Sequence, residues 1–125
     1  MPSPKEKFRI RGVGIDLVSI PRMRKFVKLH GKKAALLLDS SFSPRSKRPI
    51  SVIHLARLFA AKEAVFKALG RSWMGMEGFR DIKVQGSPRQ GFSVQCPFLP
   101  QGVAAAGRFF EGKDWAGAQV ILWES

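Results

Sequence analysis

Apolar and polar residues alternate along the first part of the chain. In "RGVGIDLVSIPR", Val13, Ile15 and Leu17 fall at every second position, with Gly12, Gly14 and Asp16 between them. A period of two predicts a β-strand with one apolar face. The prediction covers Phe8–Val18, where Phe8 and Ile10 continue the alternation and Arg9 and Arg11 point the other way. Asp16 is the anomaly in this strand. A carboxylate in an apolar run is costly to desolvate unless it is paired or holds a metal. Asp before Ser-Ile-Pro is also ordinary helix-start punctuation, so capping competes with a chemical role.

The period then lengthens. Ser19-Ile20-Pro21 reads as a helix start, because proline is tolerated in a first turn. In "RMRKFVKLHGKKAALLL", Met23, Phe26, Val27, His30, Ala34 and Leu37 recur at spacings of three and four. That predicts an amphipathic helix, with Gly31 a point of division. Arg22, Lys25, Lys28 and Lys32 form a basic stripe on its other side. "DSSFSPRSKRP" reads as a solvated loop. Ser51 caps a longer helix, "VIHLARLFAAKEAVFKAL", whose apolar positions include Val52, Leu55, Phe59, Phe66 and Leu69 and which Gly70 closes.

The glycine- and methionine-rich "GRSWMGMEGF" predicts a loop, with Trp73 a core or interface residue, as are Trp115 and Trp123. Strands are predicted at "RDIKVQG", at "GFSVQC" after the turn "GSPRQ", and at "AGAQVILWE"; "PQGVAAAGRFF" is too short and glycine-bounded to assign. This order of elements predicts an α+β fold. Residues 1–125 form one compact domain, a long central helix packed on a small, mainly antiparallel sheet, with 1–7 a loose basic tail.

Composition narrows the class. The chain is 45% hydrophobic, and no apolar run approaches the roughly 20 residues of a membrane-spanning helix. The start "MPSPKEKFRIRG" has no apolar block of a secretory leader. One cysteine, Cys96, leaves no internal disulfide and reads as a small buried hydrophobe. These features predict a cytoplasmic protein. Charge changes the picture more: the net is +13, with 17 Lys and Arg against four acids through Arg71 and an exact balance after it. Such asymmetry implies an anionic partner, whether nucleic acid, membrane surface, acidic protein or phosphorylated small molecule.

The candidate chemistry lies in "FAAKEAVFKALG". Lys62, Glu63 and Lys67 are its only charges, set among alanines and large apolar residues. Glu63 and Lys67 are four apart and share a helix face, so a surface ion pair worth a few tenths of a kcal/mol is the plain reading. The alternative joins Glu63 to Asp16. Two carboxylates, one from a strand end and one from a helix, suit Mg²⁺, which keeps several waters and completes its shell with substrate phosphates. Lys62 and Lys67 would then offset phosphate charge, as phosphoryl-group transfer requires. Spacing alone leaves both readings open.

The two segments together, "GVGIDLVSIPRM" and "FAAKEAVFKALG", resemble the paired signature motifs of the holo-acyl-carrier-protein synthase type of 4′-phosphopantetheinyl transferase. The ending "AGAQVILWE" is similar to that family's last strand. The resemblance implies transfer of 4′-phosphopantetheine from coenzyme A to a serine of an apo acyl carrier protein, with adenosine 3′,5′-bisphosphate released. It implies Mg²⁺ dependence, the transferase fold and a homotrimer with active sites between subunits. By position, Asp16 and Glu63 match metal ligands, Glu63 and Lys62 are catalytic, and Lys67 and Gly70 lie near coenzyme A. Arg22, with Lys25 and Lys28 beside it, matches the surface that meets an acidic carrier protein.

The sequence departs from the family at four places. Leu58 stands where an arginine is usual, and Arg57 lies one residue earlier, about 100° away around a helix. Gly70-Arg71-Ser72 replaces Gly-Thr-Gly, "AGRFFEGKDW" lacks the family's histidine, and "GSPRQGF" only loosely matches its Gly-Lys-Pro. The two histidines present, His30 and His54, read as helix-face residues. Two rival readings remain: a basic nucleic-acid-binding module, or a catalytically silent homologue serving as a scaffold. The first explains the charge. It offers no zinc-finger spacing or aromatic-rich RNA motif and leaves Asp16 and Glu63 unexplained, so no nucleic-acid partner is expected.

Overall fold

The alternating segment forms a strand at the edge of a sheet. A computed structural model describes residues 9–70 and 76–124; the expected basic tail at 1–7, and Trp73, lie outside them. β1 (Arg9–Ser19) pairs with β5 (Trp115–Glu124), followed across the sheet by β4 (Val103–Glu111), β3 (Gly91–Gln95) and β2 (Lys83–Ser87). All four ladders are antiparallel. The long helix α3 (Val52–Ala68) lies against β1 and β5. Two shorter helices, α1 (Ile20–His30) and α2 (Lys32–Leu38), precede it, and α4 (Met76–Arg80) follows. The expected α+β arrangement is the one observed.

Local chemistry sets the helix ends. Ser19 Oγ accepts from Arg22 N at 3.2 Å and Ser51 Oγ from His54 N at 3.2 Å, satisfying backbone donors that have no helical partner. Gly31 adopts φ +54°, which breaks the first amphipathic segment into α1 and α2. Gly70, at φ +68°, terminates α3.

Three expectations need correction. The apolar side of β1 does not face the core: Val13, Ile15 and Leu17 are 56–61% exposed, and the helix covers the glycine side instead. A register shift between Ile10 and Gly12 turns Ile10 outward too. The segment after Gly70 is not all loop. Its end forms α4, because Phe79 is fully buried between Phe59 and Phe66, at ring separations of 5.3 and 5.5 Å. The unassigned "VAAAGRFFE" is β4, paired on both sides, where small residues suffice because neighbouring strands supply the bulk.

Candidate active site

Asp16 owes its position to the two glycines before it. Gly12 and Gly14 have no room for a side chain: a Cβ on either would lie 2.0 Å from a carbonyl oxygen of α3, that of Ala68 or Ala64. The helix backbone therefore rests directly on the strand. Asp16 is the next residue of the same face, and so it meets α3 where that helix carries its charges.

Lys67 Nζ donates to Asp16 Oδ1 at 2.6 Å and lies 3.3 Å from Ile15 O. The Asp16 side chain is 13% exposed and that of Lys67 53%. The surface pair expected between Glu63 and Lys67 is not the one formed. Among the described residues, the Glu63 carboxylate has no hydrogen-bonded or ion-paired partner. Its pKa is raised, first by burial and then by the negative charge of Asp16, with Lys67 acting in the opposite direction. Two carboxylates thus repel each other beside a single compensating ammonium.

That donor set fits a hard divalent cation. No group of three or more His, Cys, Asp or Glu gathers among the described residues. Magnesium needs only one or two protein carboxylates when phosphate oxygens complete its shell. Asp16 and Glu63 are the residues able to hold it. Gly70 follows at the end of α3 and is exposed, and a Cβ there would meet none of the described residues within 4 Å.

Lys62 does not join them. It is 1% exposed, and its ammonium donates to Leu38 O at 2.6 Å and Phe79 O at 2.8 Å. Leu38 ends α2 and Phe79 lies in the last turn of α4, so one ammonium satisfies carbonyls at the negative ends of two helices. Burial pushes its pKa down to about 8, against the pull of Asp39 and with the push of Arg80. The expectation that Lys62 faces phosphate is corrected. One step along a helix is about 100°, which turns Lys62 inward while Glu63 stays beside Asp16. A sequence signal existed: Leu55, Leu58, Val65 and Phe66 stand seven and four before and three and four after Lys62, inside the buried stripe.

Other cations are placed as follows. Arg57 donates to Glu111 Oε1 at 2.6 Å at the end of β4. Arg22, Lys25 and Lys28 are all exposed on α1. Arg22 borders a cleft of about 280 Å³ lined by Leu17, Val18, Met23, Phe26 and Phe59, directly beyond Asp16 in β1. The loop before α3 has a brace the sequence did not reveal. Asp39 Oδ1 accepts from Ser41 N and Oγ at 3.0 and 2.6 Å, and Asp39 Oδ2 lies 3.2 Å from His54 Nε2. Burial raises the Asp39 pKa, but the Ser41 bonds and His54 outweigh it, and the net shift is downward.

Comparison with known proteins identifies the family. The family model of the 4′-phosphopantetheinyl transferase superfamily matches residues 12–120. A holo-[acyl-carrier-protein] synthase of Desulforudis audaxviator is 39% identical over 102 residues, covering 77% of this chain and 74% of its own. The holo-[acyl-carrier-protein] synthase of Halorhodospira halophila is 34% identical over 122 residues, covering 90% and 97%. The crystal structure of a holo-(acyl-carrier-protein) synthase from Bacillus anthracis in complex with CoA (3′,5′-ADP) is similar at a TM-score of 0.64, with 27% identity over 93% of this chain and 98% of that one. The matched region contains Asp16 and the whole of α3, and the chain belongs to the 4′-phosphopantetheinyl transferase superfamily.

Proposed function

We propose that this protein is a holo-acyl-carrier-protein synthase: it transfers 4′-phosphopantetheine from coenzyme A to a serine hydroxyl of an apo acyl carrier protein. The observation that supports this most is the meeting of Asp16, Glu63 and Lys67 from segments 47 residues apart. In the reaction, the serine oxygen bonds to the phosphorus that bears pantetheine. The bond from that phosphorus to the bridging oxygen breaks, and adenosine 3′,5′-bisphosphate leaves. The serine proton goes to a base.

Asp16 and Glu63 would hold Mg²⁺, which when bound neutralises charge on the diphosphate oxygens. Lys67, half exposed on a flexible stem, is suited to a phosphate oxygen as a compact point charge. Gly70, exposed one residue beyond α3 and its C-cap, would lie near coenzyme A. Lys62 serves from the interior by fixing α2 and α4 against α3.

The exposed Arg22, Lys25 and Lys28 would receive an acidic carrier protein, a complementarity that mainly raises association rate and fixes orientation. The outer face of β1 is the surface for further copies of the chain. Ile10, Val13, Ile15 and Leu17 are exposed there, beside Trp123 and Ile121 of β5. An open apolar edge strand is a liability unless another surface covers it, and a homotrimer is the assembly the family resemblance implies. No helix among the described residues is long and apolar enough to cross a membrane. A cytoplasmic, single-domain enzyme of lipid synthesis is the setting we propose.

The test is mass spectrometry of an apo carrier protein after incubation with this protein, coenzyme A and Mg²⁺. A mass gain of one phosphopantetheine, abolished by EDTA, is expected. An unmodified carrier overturns the reading.

A further inference from the structure

Lys67 has two carboxylates within its reach and bonds only one. Glu63 is one turn before it in the same helix, yet the ammonium crosses to β1 and engages Asp16. It thereby occupies a carboxylate that a divalent ion would need. We infer that Lys67 is a placeholder for that ion: it holds Asp16 in the metal-free protein and yields it when metal and a diphosphate arrive together. The inference rests on Asp16 and Glu63 being the metal-holding pair.

Three observations support it. First, charge: Asp16 and Glu63 carry two negative charges against one from Lys67, and Glu63 has no partner of its own among the described residues. A divalent ion satisfies both carboxylates at once, which a single ammonium does not. Second, mobility: the Lys67 side chain is half exposed, and its remaining bond, to Ile15 O, is long at 3.3 Å. It can leave Asp16 without opening the core, unlike the buried and doubly bonded Lys62. Third, place: Lys67 lies in the last turn of α3, three residues before the exposed Gly70. A diphosphate there gives the displaced ammonium a new anion.

The consequence is linkage. Metal alone must displace an ion pair and binds weakly. A diphosphate that draws Lys67 away makes metal binding tighter, and by reciprocity metal tightens the diphosphate. Removing the bond to Asp16 therefore acts on metal binding even before a diphosphate arrives.

Calorimetric titration of Mg²⁺, with no coenzyme A present, tests this directly. Lys67→Met should bind Mg²⁺ about tenfold more tightly than the wild type. Lys67→Arg, which keeps a cation at the position, should restore weak binding. Lys33→Met, a cation removed from the exposed side of α2, should leave the affinity unchanged. Equal affinity in Lys67→Met and the wild type overturns the inference, as does an equal gain in Lys33→Met, which would show net charge alone at work. Repeating the titration with coenzyme A bound separates this from the parent reading. If Mg²⁺ binds there but Lys67→Met shows no gain without coenzyme A, only the placeholder role fails. If Mg²⁺ binds to no form, with or without coenzyme A, the Asp16–Glu63 metal pair fails and the inference with it.

Discussion

Lys67 Nζ lies 2.6 Å from Asp16 Oδ1, although Glu63 is the carboxylate one helical turn away from it. The strand–helix contact takes precedence over the pair within the helix. An isolated pair four residues apart contributes only tenths of a kcal/mol, and Asp16, largely shielded from water, gains more from a partner than a solvated carboxylate would. That contact leaves Glu63 as the uncompensated member of the group.

Replacing Glu63 with Gln should therefore separate activity from stability. Transfer at saturating Mg²⁺ should fall by about a hundredfold or more. The melting temperature should hold or rise, because burial and Asp16 already disfavour the charged form in the folded state. Turnover of the carrier protein, followed by mass spectrometry beside a thermal melt, checks both; undiminished turnover removes Glu63 from the mechanism.

The contact between β1 and α3 tolerates no side chain at Gly14. A methyl there would come within 2.0 Å of Ala64 O and 2.7 Å of Ala68 N, both backbone atoms that cannot rotate away. Gly14→Ala should cost about 3 kcal/mol in chemical denaturation. Whatever folds should lose activity as Asp16 is pushed from α3. A variant with wild-type stability would refute the close packing.

Lys62 yields a pH dependence whose sign follows from its low pKa. The folded state releases this proton near pH 8, whereas the unfolded chain keeps it to about 10.5. Between those values the unfolded state binds more protons, so stability should rise with pH across that window. Lys62→Met should remove this rise. It should also cost about 2 kcal/mol at neutral pH, because the carbonyls of Leu38 and Phe79 lose their donor. Denaturant midpoints at pH 7.5 and 10 read both effects. If Lys62 contacts substrate instead, the variant will raise KM for coenzyme A and leave stability unchanged.

Charge reversal on α1 should act on one substrate only. Lys25→Glu combined with Lys28→Glu should raise KM for the carrier protein about tenfold at low salt, with KM for coenzyme A unchanged. The difference should shrink as ionic strength rises. Parallel steady-state titrations of the two substrates decide it, and an equal change in both KM values would contradict a carrier-docking role.

The outer face of β1 is the proposed subunit interface of the trimer that the family resemblance implies. Ile15→Lys puts a charge in the centre of the exposed apolar row without touching the buried side of the strand. Sedimentation should show a trimer for the wild type and a smaller species for the variant. A wild-type monomer at micromolar concentration would contradict this face as a subunit interface.

Periodicity by itself determined where β1, α1, α2 and α3 lie, because apolar spacing, the Ser19 and Ser51 caps and the Gly31 and Gly70 breaks are local properties. The paired segments around Asp16 and Glu63 were equally plain in the chain. Which side of β1 faces the core was decided only by packing. The apolar side of β1 points outward because α3 approaches on the side where glycine leaves space, and no count of hydrophobic residues along one strand contains that information. Lys62 and Glu63 are neighbours in sequence with opposite fates, one sealed under two helix ends and the other set beside Asp16. The partner of Lys67 was likewise undetermined until β1 met α3, since an ion pair depends on distances between elements and sequence spacing measures distances only within one.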